Sequence, residues 1–388
     1  MEKKEQIRLL REVMQRLDEG TNVDAGGIVH NPTWVYTCPD LAKREWESFY
    51  RGYPQVIGCS GDLPEPGSFM TTRDFGTPVL ATRDKEGVFR AFINVCRHRG
   101  VMLEGEERGK RTRFMCPFHG WTYTNAGRLV GVPKPDHFGK LDKDCHGLIP
   151  LPAVERYGFL WMHPQPDGEI DVDALLGGLA PEFAAWKWDG LENFGYDAYE
   201  MRLNWKLAID TFGETYHFPT LHKNSLAMNF YGNVQAYDTY GRNHRMTLVM
   251  KSIDELRDRP EETWHISQGT FPVYYLFPNI QVNVSPFGIV LVRTYPDPED
   301  PARSTSRIGF YSRRDALEEQ GEMVRRVTRT FADIIRDEDY AVAARSQIGA
   351  ESGRPEYNIF GRNEPALHHY HNTYREALGM EPLELLPA

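Results

Sequence analysis

Apolar residues fall at helical spacing from the start of the chain. Ile7, Leu10, Met14 and Leu17 recur every three or four positions among charged residues, which predicts an amphipathic helix. Residues 1 to about 45 read as that helix followed by irregular chain. From about 46 to 165 the pattern changes to short runs such as Pro78-Val79-Leu80-Ala81-Thr82 and Val88-Phe89-Arg90-Ala91-Phe92-Ile93. Gly and charged residues bound these runs, as they bound strands. Asp84-Lys85-Glu86-Gly87 between them predicts a hairpin turn.

Gly158 to Met162 reads as the closing strand of this β-rich unit, and Pro164-Gln165-Pro166-Asp167-Gly168 as a domain boundary. The remainder is mixed. Helical patterns cover 205–217 and 315–347, strand runs cover Phe271 to Leu276 and Gly288 to Tyr295, and a last helix carries Leu367, Tyr370, Tyr374 and Leu378. The expected organisation is a helical segment over 1–45 packed on the second domain, a β-rich domain over 46–165 and an α+β domain over 166–388.

A chain of 388 residues suits about two domains of this kind. The net charge of -10 argues against a nucleic-acid partner, because phosphate binding needs a basic face. No run of about 18 apolar residues predicts a transmembrane helix, and the charged N-terminal helix lacks the apolar core of a signal peptide. A cytoplasmic location is expected. The cysteines are Cys38, Cys59, Cys96, Cys116 and Cys145, an odd and sparse set that argues against a disulfide framework. Cys38, Cys59 and Cys145 read as ordinary buried or partly buried thiols.

The other two cysteines alternate with histidine. Cys96-Arg97-His98-Arg99-Gly100 is followed by Cys116-Pro117-Phe118-His119-Gly120-Trp121. Four such ligands in two short clusters imply a metal held between two loops. A zinc finger groups its cysteines in one knuckle and its histidines in another, whereas here each loop offers one of each. That order suits two irons, one held by both thiolates and one by both imidazoles, whose neutral rings raise the reduction potential. A structural zinc is the competing reading. The two segments, with Phe92-Ile93-Asn94-Val95 before them and Gly127-Arg128-Leu129 after, resemble the Rieske motif of the ring-hydroxylating oxygenase family. The resemblance implies that Cys96 and Cys116 bind one iron of a [2Fe–2S] cluster, and His98 and His119 the other.

A second constellation lies in Asn204-Trp205-Lys206 through His222. A continuous helix would put Asp210, Glu214 and His217 on one face at i, i+4 and i+7. Pro219 would end that helix, so that His222 converges from the turn after it. Two histidines and one carboxylate form the facial triad of non-haem Fe(II) oxygenases. Downstream, Val324, Phe331, Ile335 and Val342 form an apolar stripe, with Glu338 and Asp339 near it and Asp337 pointing away. The segment around His217 and His222 resembles the catalytic-iron motif of the same family. In that family an acidic pair ends in the ligand Asp with a Gln eight residues on. The match is Glu338-Asp339 with Gln347, so the resemblance assigns Asp339 as the carboxylate ligand and Glu338 as the fallback. It makes Glu214 a bridge between the two metal centres, and Asp210 a further residue outside the ligand set.

The resemblance spans about Trp34 to Leu378. It implies a β-rich Rieske domain beside an antiparallel sheet flanked by helices, helix-grip-like, and a head-to-tail homotrimer. Within that trimer His119 of one subunit would hydrogen-bond Glu214 of the next. It also implies that each turnover takes O2, two electrons and two protons to oxidise a small organic substrate at mononuclear Fe(II). The electrons would come from NAD(P)H through a reductase, directly or by way of a ferredoxin. Arg97, Arg99, Arg108, Lys110, Arg111 and Arg113 against Glu104, Glu106 and Glu107 form a local basic patch suited to an acidic donor. A pure electron carrier would leave His217, His222 and Asp339 unexplained, and a zinc module would leave the Cys/His order unexplained. His368, His369 and His371 read as structural. Phe212, Tyr216, Phe230, Tyr231, Tyr274 and Tyr275 are candidates for an apolar pocket. An aromatic substrate is expected, with demethylation, steroid and quaternary-ammonium oxidation as the alternatives within the family.

Overall fold

The computed structural model describes residues 1–387, which form two compact units. The smaller comprises Glu47–Val172 and Lys187–Asn193, the larger Met1–Trp46, Asp173–Trp186 and Phe194–Ala388. The smaller unit therefore runs past the Pro164–Gly168 break, and a later excursion returns to it. There Trp188 packs edge-on against Phe159, with ring centroids 5.6 Å apart.

In the smaller unit a five-stranded sheet runs in the order Pro150–Leu151, Phe89–Ile93, Val79–Arg83, Ser68–Thr72, Arg108–Lys110. The expected hairpin turn is present. Gly87 takes φ +79°, a left-handed conformation open to glycine, and its N–H donates to Asp84 O at 3.1 Å. Two three-stranded sheets complete the unit, one of them Arg113–Met115, Thr122–Thr124 and Leu129–Gly131. Cys96 and Cys116 are buried among Phe69, Leu80, Phe92, Phe114, Trp121 and Tyr123. Cys59 is buried and Cys38 half-buried, but Cys145 is exposed, donating to Asp142 at 3.2 Å.

The larger unit is built on a seven-stranded sheet in the order Glu192–Met201, Ser304–Ser312, Gly288–Pro296, Ile280–Ser285, Thr270–Leu276, Asn243–Met250, Phe230–Tyr240. From Phe230–Tyr240 to Ser304–Ser312 each neighbouring pair is antiparallel. The helix Lys3–Glu19 covers one face, where Leu9, Leu10 and Val13 pack on Val234, Ala236 and Val249. On the other face Val290, Val292, Ile308 and Phe310 pack on Leu207, Ala208, Ile335, Tyr340 and Ala343 from helices. Burial of these side chains at roughly 25 cal/mol per Å2 holds both layers to the sheet.

Residues 205–217 are not one helix. The helix is Trp205–Asp210, a turn follows, and a second short helix is Phe218–Leu221. Pro219 stands at the start of that second helix, where its missing N–H costs nothing. The Asn-Trp-Lys lead anchors the first helix. Asn204 accepts from Lys206 N–H at 3.0 Å as its N-cap. Trp205 Nε1 donates to Glu45 at 2.9 Å, and Lys206 Nζ meets the same carboxylate at 2.7 Å, with both charged side chains 2% exposed.

The downstream helix also differs from expectation. Arg314–Ile334 passes through a π-helical turn at Ile335–Asp339 into Tyr340–Glu351. The extra residue shifts the buried stripe by one position, from Val324 and Ile335 to Asp339, Ala343 and Gln347. Val342, expected in the stripe, is exposed for that reason.

Candidate functional site

The two Cys/His loops are built alike. Cys96 N–H donates to Val101 O at 2.8 Å and Gly100 N–H to Cys96 O at 3.0 Å; Cys116 N–H donates to Trp121 O at 2.7 Å and Gly120 N–H to Cys116 O at 3.0 Å. Gly100 and Gly120 both take φ +73°, which a side chain would strain. The loops bring the His98 and His119 rings to 4.5 Å between centroids. Trp121 stacks on His98 at 4.9 Å with an interplanar angle of 8°.

Nδ1 of His98 and Nδ1 of His119 are both buried with no hydrogen-bond partner. Two orphaned ring nitrogens beside two buried thiols are costly in a site without metal, and they are what a cluster with one imidazole-bound iron requires. Burial, then the nearby His98 and Arg99, pushes the His119 pKa down, which favours the neutral ligand form. Burial pushes the Cys116 thiol up, while backbone N–H groups of Phe118 and His119 oppose it by favouring the thiolate. Tyr123, to which the motif alone assigned no role, has its hydroxyl 3.4 Å from Cys96 Sγ and accepts from Arg97 N–H at 3.0 Å.

In the larger unit His217, His222 and Asp339 converge. Nε2 of His217 lies 3.1 Å from Nε2 of His222, and Oδ1 of Asp339 lies 3.1 Å from His222 Nε2 and 3.4 Å from His217 Nε2. One ion about 2.1 Å from each atom would set adjacent ligands about 3.0 Å apart, so the set fits a single metal. Among the described residues this is the one cluster of three such ligands. Asp337 points away, exposed and paired with Arg336 at 2.6 Å.

Each histidine is held from behind by a carboxylate. Glu214 accepts from Nδ1 of His217, and its other oxygen accepts from the His217 N–H at 3.1 Å. Glu338 accepts from Nδ1 of His222 at 2.7 Å and from Ser225 Oγ at 2.7 Å. A carboxylate on Nδ1 keeps the ring proton there and leaves the Nε2 lone pair for a metal. Burial disfavours the charged form of His217, but hydrogen bonds to Asp339 and Glu214 outweigh it and raise its pKa to about 9. His222 is raised by the same balance of burial against Asp339.

The role of Glu338 was missed by sequence reasoning, which treated it as a rival ligand. The π-helical turn widens the helix there and lets two successive acids reach one imidazole. Asp210 also differs from expectation. The helix that carries it ends before Glu214, and it accepts from Tyr36 Oη at 2.9 Å, with His371 Nε2 at 3.0 Å. His368 and His369 each bond backbone carbonyls, at 3.0 Å to Gly361 O and 2.8 Å to Gly241 O, so the three C-terminal histidines do not converge.

A cavity of about 50 Å3 opens beside the three ligands. Phe212, Phe218, Phe230, Phe271 and Phe331 line it with Thr211 and Asn283, and its titratable groups are Glu214, Asp339 and the two histidines. A cavity that holds benzene is roughly 150 Å3, so a substrate must part these side chains on entry. Of the six aromatic residues expected at the pocket, Phe212 and Phe230 line it. Tyr216 is exposed, while Tyr274 and Tyr275 are fully buried in the core. Tyr231 bonds Asp254 at 2.6 Å, away from the cavity.

Two family models match the chain: a Rieske [2Fe-2S] domain over residues 54–152, and the catalytic domain of ring-hydroxylating alpha subunits over 188–380. Choline monooxygenase, chloroplastic, of Spinacia oleracea is 26% identical over 358 residues, covering 89% of this chain and 78% of that protein. The large oxygenase component of salicylate 5-hydroxylase of a Ralstonia species is 33% identical over 205 residues, covering 49% and 48%. In fold, naphthalene 1,2-dioxygenase from a Rhodococcus species is similar at a TM-score of 0.73 and 19% identity, covering 96% of this chain and 98% of that one.

Proposed function

The chain belongs to the Rieske non-haem iron oxygenases as a catalytic α subunit, and we propose how its residues divide that work. The protein is an oxidoreductase with one [2Fe–2S] cluster and one mononuclear iron, fed by electrons from a reductase. When bound, the cluster supplies electrons one at a time and the iron supplies the activation of O2.

Cys96, Cys116, His98 and His119 hold the cluster, and His217, His222 and Asp339 hold the iron. The observation that carries the second assignment is the convergence of two imidazole nitrogens and one carboxylate oxygen within 3.1–3.4 Å beside an apolar cavity. Glu214 and Glu338 orient the two imidazoles and keep a proton on each Nδ1. The phenylalanine walls exclude water and orient the substrate.

Glu214 keeps 12% of its side chain exposed, so a second subunit's imidazole can reach it. That exposure supports a homotrimer in which His119 of one subunit bonds Glu214 of the next and couples the two centres. Around the cluster Arg111 pairs with Glu104 at 2.9 Å, Arg108 with Asp62 at 2.7 Å and Lys110 with Glu65 at 2.6 Å. Arg97, Arg99 and Arg113 stay exposed and outside ion pairs among the described residues, and they form the docking charge for an acidic reductase or ferredoxin. NAD(P)H is the electron source, and the enzyme works in the cytoplasm.

The substrate reading is an aromatic compound, because five phenylalanines and no Lys or Arg line the cavity. A quaternary ammonium substrate is the second reading. The same rings can stack on an organic cation, and a choline monooxygenase matches over 89% of this chain. The test is NADH and O2 consumption with product detection, using a surrogate reductase, across aromatic rings, aryl ethers, steroids and quaternary ammonium compounds. Coupled product from aromatic members supports the first reading, and product from quaternary ammonium members alone supports the second. Reconstituted protein with one zinc and no acid-labile sulfide would refute the oxygenase reading itself.

A further inference from the structure

The sheet face that supplies Leu248, Phe271, Val273 and Asn283 to the cavity lining carries buried polar side chains next to them. Phe230–Tyr240 is the edge strand beside Asn243–Met250. Gln235 lies directly across from Leu248, which is in turn across from Phe271, and both of those line the cavity. Residues directly opposite in an antiparallel pair share a face, so Gln235 points to the cavity side. Tyr237 is two residues on and shares that face. Its row continues through Met246 and Val273 to Asn283, of which Val273 and Asn283 line the cavity.

Gln235 is 0% exposed, yet neither its amide nitrogen nor its amide oxygen has a hydrogen-bond partner. The Tyr237 hydroxyl is likewise enclosed and unpartnered. In the next row Gln281 donates to Tyr370 Oη at 2.9 Å, while its amide oxygen has no partner. Buried polar groups are almost always paired, and an unpaired one lowers stability. Unpaired donors and acceptors gathered on the sheet face behind the cavity, beside its lining residues Leu248, Val273 and Asn283, call for a partner that the protein does not supply.

We propose that Gln235 and Tyr237, with the Gln281 amide oxygen beyond them, recognise a neutral hydrogen-bonding group on the substrate. A carboxamide or an alcohol fits, and the contact sets which carbon faces the iron site. An amide side chain offers both a donor and an acceptor, which such groups match. A carboxylate would be buried here with no Lys or Arg lining the cavity to pair with it. A quaternary ammonium has no N–H to give the amide oxygen. The inference rests on the reading of the cavity as an aromatic substrate site and adds a polar handle to that substrate.

Five compounds that share one phenyl ring test it: toluene, benzyl alcohol, benzamide, benzoate and benzyltrimethylammonium. Dissociation constants are measured by calorimetry on the iron-loaded holoenzyme, on Gln235→Leu and on Tyr237→Phe. Benzamide and benzyl alcohol should bind the parent roughly ten-fold more tightly than the other three. Gln235→Leu should lose that preference while toluene binding holds or improves. Tyr237→Phe, which removes one hydroxyl without a protein partner, should lose part of it. Both variants should melt at or above the parent temperature, because each deletes an unpaired buried group.

Tight toluene binding with no gain for the polar pair overturns the proposal and leaves the aromatic reading standing. A preference for benzoate overturns the proposal and leaves the aromatic reading standing, and a preference for benzyltrimethylammonium overturns both. Variants that keep the parent preference overturn the proposal. Binding by none of the five also overturns it, while the oxygenase reading is decided separately by the O2-uptake screen.

Discussion

Glu338 accepts a hydrogen bond from Nδ1 of His222 at 2.7 Å, on the ring edge opposite the nitrogen that faces Asp339. Two neighbouring acids thus do different things to one imidazole: Asp339 shares its metal-facing side, and Glu338 holds it from behind. Asp339→Ala should lose the iron while the cluster spectrum remains. Glu338→Gln should weaken iron binding by roughly 10–100-fold, as loss of such a support does, and Asp337→Ala should leave it near the parent value. Iron content after dialysis against a graded chelator measures all three. Equal losses in Glu338→Gln and Asp339→Ala would contradict this division.

Glu214→Gln tests the same kind of support on His217 together with the proposed link between subunits. With iron restored by supplementation, the variant should keep a normal reduced cluster spectrum but re-oxidise that cluster far more slowly when mixed with O2 and substrate. Rapid-mixing absorbance reads the rate. Parent-rate re-oxidation with product would remove the bridge.

Tyr123→Phe removes the hydroxyl that lies 3.4 Å from Cys96 Sγ. Hydrogen bonds to cluster sulfurs raise the reduction potential. One neutral bond is worth about 1 kcal/mol, so the potential should fall by roughly 40 mV for this one-electron couple. A redox titration of the purified protein would show it; an unchanged potential would place the hydroxyl outside the redox site.

Iron loading should depend on pH with a definite sign. Without metal, the carboxylates around His217 raise its pKa to about 9, and His222 is raised in the same direction. Iron must displace those protons, so apparent affinity should climb with pH up to about 9 by as much as ten-fold per unit for each proton released. For the metal-free chain the sign reverses. The stability that His217 gains from its charged form is fully present below about pH 6.5 and is lost as pH rises through about 9. Iron titrations and thermal melts at matched pH values check both. Affinity that is flat between pH 6.5 and 9 would rule out proton displacement.

The chemistry was legible in the sequence because it is local. Cys96, His98, Cys116 and His119 sit in two short loops whose alternation of ligand types argues against a zinc finger, and each loop closes on itself through its own backbone. His217 and His222 are near neighbours for the same reason. The β-rich and mixed halves were legible from period-two and helical patterns. Phe230–Tyr240 and Asn243–Met250 were not, since buried central strands such as the latter lack a polar face to mark them.

What only the tertiary structure decided is where side chains separated by long stretches of chain meet. Asp339 joins His222 across 117 positions, and a π-helical turn whose phase no periodicity of 3.6 foresees turns Glu338 to the back of the same ring. Asp210, read as part of the face that carries Glu214, follows its own short helix to Tyr36 and His371 instead. The unpaired Gln235 amide was invisible as a feature until strand register placed it across from Leu248. A sequence records which groups can bind a metal or donate a hydrogen bond; whether a partner stands within 3 Å is set by packing between elements that are remote along the chain.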